Sequence, residues 1–178
     1  MTKGESLRVP STMFKAGLGW DQVGSPVDLD ASVVCLRSDC SLKDCCFFGK
    51  SKVFNGALQH GGDNRSGAGA GDDESIQVNL NQMPADVAYI AVVVNCYDDV
   101  PLSGVQNAYV RLTANGAETH RYSLSALGNK SGYVMCTIYR DRSCGEWMLK
   151  TNSKEADGNT YKAMLPAIQQ ACAVLYNK

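Results

Sequence analysis

A chain of 178 residues is long enough for one domain to bury a core without metal or disulfide staples. Its 17 basic and 18 acidic side chains leave a formal net charge of −1, which gives no broad cationic surface for a phosphate backbone, so nucleic acid is not expected as a partner. No stretch approaches the ~20 apolar residues of a spanning helix and the opening MTKGESLRVP lacks the apolar core of a secretory signal, so the expectation is a cytoplasmic protein without direct membrane insertion.

Taken in chain order, residues 28–36 alternate as a strand, with Leu29, Ala31, Val33 and Cys35 on one face and Asp28, Asp30 and Ser32 beginning the other. Two carboxylates therefore point the same way. Cys40, Cys45 and Cys46 follow beside Asp39, Lys43 and Asp44 in what reads as a loop, which makes them the candidates for reactive thiols. Cys35, Cys96, Cys136 and Cys172 read instead as small apolar core residues. The eight cysteines form no CxxC pair, so the spacing argues against structural zinc and, in a reducing compartment, for free thiols.

Ile76, Val78 and Leu80 alternate with Gln77 and Asn79 as a second strand, ended by Pro84 and Asp86. The run VAYIAVVVN over 87–95 is apolar on both parities, as in a central strand covered on both faces. Further strands are predicted over 108–113, 119–124, 133–140 and 146–150, with Asn115 and Gly116 as a tight turn between the first two. Only the tail reads as helical, with Ile168, Ala171, Cys172 and Leu175 at helical spacing behind a Pro166 placed at the first helical position. The whole predicts an all-β chain, a β-sandwich of two mainly antiparallel sheets with a short C-terminal helix, in a single domain over 1–178.

Between Gly61 and Gly71, five of eleven residues are glycine and two are alanine, a composition that offers backbone freedom rather than core packing. Around it Asp63, Asn64, Asp72, Asp73 and Glu74 supply side-chain oxygens, and Asp28 and Asp30 project from the strand before. Hard cations use that combination: calcium takes roughly six to eight oxygens in a flexible shell of carboxylates and carbonyls, whereas magnesium demands a stricter octahedron. One or two calcium ions would relieve the repulsion among the six carboxylates of Asp28, Asp30, Asp63, Asp72, Asp73 and Glu74. The loop is not an EF-hand, since no DxDxDG run precedes a glutamate at the twelfth position. A flexible glycine-rich linker is the competing reading; a phosphate-cradling loop is disfavoured because the stretch runs into acid and then a strand.

The motifs GLGWD at 17–21, DLDAS at 28–32, GGDNRSG at 61–67, GDDES at 71–75 and VVVNCYD at 92–98, followed by NAYVRL, RYSL and GEW, together resemble the TerD family over most of residues 14–150. That resemblance implies a β-sandwich that binds calcium near one end and acts in tellurite and stress-response systems, and it carries metal binding onto Asp28, Asp30, Asp63, Asn64, Asp72, Asp73 and Glu74. Where the family commonly has acidic residues inside the loop, this chain has Ala68 and Ala70, which leaves the ion count at one or two.

The leading expectation is thus a calcium-binding, non-enzymatic module that meets protein partners in a stress response. Two alternatives come from other classes. One is thiol-based redox or metalloid handling through Cys45 and Cys46, with Lys43 and Lys50 lowering and Asp44 raising the thiol pKa. The other is an enzyme using His60 beside the metal loop, although neither His60 nor His120 has a recognisable partner in the sequence. Trp20 and Trp147 read as packing anchors before pocket walls.

Overall fold

The computed structural model describes residues 6–22 and 24–176. Twelve strands run in chain order as β1 (Ser6–Arg8), β2 (Met13–Gly19), β3 (Leu29–Leu36), β4 (Leu42–Cys46), β5 (Lys52–Val53), β6 (Leu58–His60), β7 (Glu74–Asn79), β8 (Tyr89–Cys96), β9 (Tyr109–Ala114), β10 (Ala117–Ser123), β11 (Gly132–Arg140) and β12 (Trp147–Ala156), followed by the helix α1 (Tyr161–Tyr176). They form two six-stranded sheets, ordered β1-β12-β11-β8-β3-β4 and β10-β9-β2-β7-β6-β5. Each neighbouring pair of strands is antiparallel. The predicted sandwich is the fold observed.

Period-two alternation explains how the layers stack. On β3 and β8, Leu29, Ala31, Val33, Cys35, Ile90, Val92, Val94 and Cys96 enter the core between the sheets. Their neighbours Val34, Leu36, Ala91 and Val93 turn outward into a second apolar cluster beneath Met164, Ile168, Ala171, Cys172 and Leu175 of α1. Both faces of these strands are therefore covered, which is why β8 carries an unbroken apolar run. Asp30 and Ser32 lie on the same outer parity but beyond the apolar part of the helix contact, buried at 6% and 3% exposure.

The helix departs from its expected form. It spans 16 residues and contains Pro166 rather than starting at it. Proline cannot donate to the carbonyl four residues earlier, but Pro166 and Lys162 are both exposed, so water can serve that carbonyl at little cost. The predicted strand at 146–150 also extends, as β12, to Ala156; its polar second half TNSKEA pairs with β11 while only partly buried, so apolar alternation could not mark it.

β2 escaped the sequence reading because Gly17, Gly19 and Lys15 dilute the strand signal, although Phe14, Ala16 and Leu18 alternate into the core. β4 escaped as well, and with it the expectation for two thiols. Cys45 and Cys46 are not loop residues: Cys45 packs beneath α1 at 2% exposure and Cys46 enters the inter-sheet core at 0%. Burial pushes the Cys46 thiol up to about 11 and that of Cys45 higher still, which removes the thiolate that redox or metalloid chemistry needs. Cys35, Cys96, Cys136 and Cys172 are buried as expected, whereas Cys144 is exposed and Cys40 half-buried.

Thiol labelling of the native protein with a disulfide reagent is predicted to modify Cys144 rapidly and Cys40 slowly, leaving the remaining six until the chain is unfolded, as read by peptide mass spectrometry.

Candidate metal centre

The site begins with an acidic side chain that the fold buries. Glu74 opens β7 at 2% exposure and reaches from the second sheet to the first, where its Oε2 accepts the Ala31 amide at 2.8 Å. Its Oε1 accepts the Asn64 amide at 3.3 Å, which brings the glycine-rich segment to the same place. His60 closes the other side: Nδ1 accepts the Gly62 amide at 3.1 Å, so the proton of a neutral ring sits on Nε2, 3.5 Å from Glu74 Oε2. That separation is an electrostatic contact without hydrogen-bond alignment. His60 therefore ends β6 in the interior and not in solvent. His120 lies half-buried on β10, its Nδ1 within 3.0 Å of Thr119 Oγ1.

Three carboxylates converge in front of this support. Asp28, Asp30 and Asp63 can each place one oxygen within 4.8 Å of the others. Asp28 and Asp30 share a side because Leu29 between them is anchored in the core, and Asp63 comes from the loop. The Asp28 side chain is 14% exposed, and its Oδ1 is buried with no hydrogen-bond partner among the described residues. Its Oδ2 lies 3.6 Å from Arg65, whose side chain is 75% exposed.

Crowding shows in the acidities. Burial, then Glu74, Asp28 and Asp63, push the Asp30 carboxyl up to about 8, and burial followed by the charge of Asp63 raises that of Asp28. The group faces an open cleft of about 230 Å³ that Phe48, Arg65 and Tyr97 also line. Oxygen-only donors, mutual repulsion and an orphaned buried oxygen fit a hard divalent cation.

The other three residues of the expected seven have hydrogen-bond or ion-pair partners of their own. Asn64 organises the loop: Oδ1 accepts the Ser66 and Gly67 amides, each at 3.1 Å, and Nδ2 donates to Asp73 Oδ1 at 2.9 Å. Asp73 in turn accepts the Trp20 amide at 2.9 Å while its own amide donates to the Leu18 carbonyl at 2.8 Å. Gly67, at φ +69°, lies so close over the indole of Trp20 that a Cβ there would approach Nε1 to 2.4 Å. The segment is thus folded onto a buried tryptophan, which decides against a loose linker. Ala68 and Ala70 are both exposed on it.

Asp72 stands apart. It lies flat over Gly17, where any Cβ would meet its carboxylate at 2.3 Å, and binds Arg111 Nε at 2.7 Å, Lys15 Nζ at 3.3 Å and the Tyr109 hydroxyl at 3.2 Å. Burial alone would raise its carboxyl, but the hydrogen bond and charge of Arg111, with Lys15 behind them, hold it below the ordinary value. The GLGW motif therefore makes room for a cross-strand ion-pair network, and Trp20 is the packing anchor its sequence context predicts, 2% exposed with Nε1 donating to the Val27 carbonyl. Trp147 is half-buried beneath the Arg140 guanidinium, 4.3 Å away.

Comparison with known proteins agrees with this frame. The TerD domain family matches residues 1–169. The chain belongs to the TerD family. It is 35% identical over 161 residues to the tellurium resistance protein TerZ of Serratia marcescens, covering 83% of this chain and 82% of that one. It is 33% identical over 170 residues to the stress response protein SCP2 of Bacillus subtilis, with 83% of each chain covered. Among solved structures, the TerD homologue SCO6318 of Streptomyces coelicolor superposes with a TM-score of 0.79 at 16% identity, covering 88% of this chain and 96% of that one. A protein of unknown function, SAV2460, superposes with a TM-score of 0.77 at 18% identity, over 84% and 92%. These likenesses in structure establish the sandwich and nothing finer.

Asp72→Asn is predicted to cost about 2 kcal/mol of stability by urea unfolding, the scale of a hydrogen bond to a charged partner. Because the folded carboxyl lies below its ordinary 3.8, that contribution is present above this value and is lost as pH falls through the lower folded one, so wild type and variant should converge in acid.

Proposed function

We propose that this TerD-family chain is a calcium-binding, non-enzymatic module acting in tellurite and chemical stress response through a protein partner in the cytoplasm. The observation that carries the calcium reading is the convergence of Asp28, Asp30 and Asp63 within 4.8 Å around a buried, unpartnered oxygen. Asp28, Asp30 and Asp63 would hold the ion, with Glu74 behind Asp30; bound calcium would supply two positive charges that cancel their repulsion and fasten the loop to β3. Asn64 and Asp73 support this site by shaping the loop, and Asp72 by pinning its end to the outer face of β2 and β9. With three carboxylates gathered at one point, one ion is the count this arrangement supports.

The stress-response assignment rests on family membership and on relatives named for tellurium resistance and stress response. The described cysteines are all free thiols, in keeping with a reducing compartment. Among the described residues no helix is long and apolar enough to cross a membrane. For the non-enzymatic part, the support is the enclosure of His60 against Glu74, at 1% and 0% side-chain exposure, which withdraws that imidazole as an accessible base.

Calorimetric titration of chelator-treated protein should give one saturable calcium site, weakened roughly tenfold or more by Asp30→Asn or Asp63→Asn, since ligand charge count sets calcium affinity. Asp72→Asn should leave that affinity within about threefold of wild type, because its carboxylate is committed to Arg111. Saturable binding lost in Asp72→Asn and retained in Asp63→Asn would overturn the assignment.

Calcium on Asp30 would displace a proton. Without calcium the Asp30 carboxyl, raised from 3.8 to about 8, binds a proton in the fold that it has lost in the unfolded chain, so apoprotein stability falls as pH rises between those values. Calcium-loaded protein should lack that decline, and melting temperatures across this pH range with chelator and with calcium will test it.

A further inference from the structure

A second cavity lies immediately inside the acidic cleft, between the outer face of β3 and β8 and the start of α1. It encloses about 110 Å³, and both spaces are lined by Asp30 and Phe48. Asn95 forms part of its wall at 0% exposure. Its Nδ2 donates to the Gly158 carbonyl at 2.6 Å, which fixes the orientation of the amide and leaves Oδ1 buried without a partner among the described residues. Asp30, 6% exposed, contributes a carboxylate on the same wall.

Apolar rings fill the other side. Phe47 packs against Phe48 with centroids 5.3 Å apart and against Tyr161 at 5.0 Å, and Asp30 is the single carboxylate on the lining, where a divalent cation gathers several. Lys162, also a lining residue, is exposed. The buried wall thus offers the Asp30 carboxyl, Asn95 Oδ1 and the Ser32 hydroxyl, all able to accept, the solvent end carries a cation, and an ammonium group at the wall would displace the proton that Asp30 holds in the calcium-free fold. A complementary ligand is donor-rich and positive at its inner end, negative at its outer end, and small.

We propose that this cavity binds a small zwitterionic amine of the α-amino acid class, its ammonium group between Asp30 and Asn95 Oδ1 and its carboxylate toward Lys162. The volume restricts the ligand to the smallest members, of glycine or alanine size. The ammonium group satisfies the unpaired carbonyl of Asn95, and buried acceptors left without donors are costly. The inference goes beyond the calcium reading and is linked to it at one residue. An ammonium group on Asp30 competes with calcium for that carboxylate, so each weakens the other by the same factor.

The test is titration with glycine, ethylamine and acetate, followed by amide chemical shifts of isotope-labelled full-length protein, first in chelator and then in saturating calcium. Glycine is expected to bind saturably, ethylamine roughly tenfold more weakly for want of the Lys162 contact, and acetate not measurably. Lys162→Ala, at an exposed position, should bring glycine down to the ethylamine level without changing ethylamine. Asn95→Ala should weaken both; if that buried substitution prevents folding, the Lys162→Ala comparison stands alone. No saturable glycine binding in chelator would overturn the inference, as would glycine binding that Lys162→Ala leaves unchanged. Glycine affinity equal in chelator and in calcium, with calcium binding intact, would overturn the shared seat on Asp30. Calcium binding is read separately in the absence of amines, so loss of either reading is distinguishable from loss of the other.

Discussion

A buried carboxylate sets the geometry of this molecule's acidic end. Glu74 belongs to one sheet, accepts a backbone amide of the other and a second amide from the glycine-rich loop, and so fixes three chain segments relative to one another. Burial raises its carboxyl above the ordinary value, and His60 with the amides of Ala31 and Asn64 offsets part of that cost. The consequence is that Asp28 and Asp30 from β3 meet Asp63 from the loop at a separation they would not choose. The fold crowds carboxylates at this point, and a bound cation would relieve their repulsion.

The remaining acidic and polar groups of the loop are disposed to hold that arrangement. Asp73 and Asn64 turn the chain over Trp20, and Asp72 is drawn away to Arg111 and Lys15 across the bare surface of Gly17. Carboxylates that look equivalent along the chain thus separate by partner: Asp72, Asp73 and Glu74, held by buried or half-buried cationic or amide neighbours, stabilise the scaffold, whereas Asp28, Asp30 and Asp63, with the exposed Arg65 beside Asp28, converge on the cleft.

The sandwich was legible in the sequence because period-two alternation survives wherever one face meets the core, as on β3, β7 and β9. It was less so where pairing proceeds without apolar residues. The far half of β12 is polar, β2 is thinned by glycines whose purpose is to admit Asp72 and Tyr109, and β4 is too short for a pattern, which is why Cys45 and Cys46 looked like loop thiols. At the site, sequence could place Asp28 and Asp30 on one face but could not divide Asp63 from Asp72 and Asp73, since the dividing groups, Arg111 and the amide of Trp20, are distant in the chain. The role of His60 beneath Glu74 was equally out of reach, because its partner becomes adjacent only when β6 and β7 pair.

The most direct test of the account is a crystal structure of the protein grown in calcium, with the ion located by its anomalous scattering. The account predicts an ion between the carboxylates of Asp28, Asp30 and Asp63, with Asp72 still on Arg111. An ion seated instead on Asp72 and Asp73, or a cleft without one in calcium-saturated crystals, would contradict it.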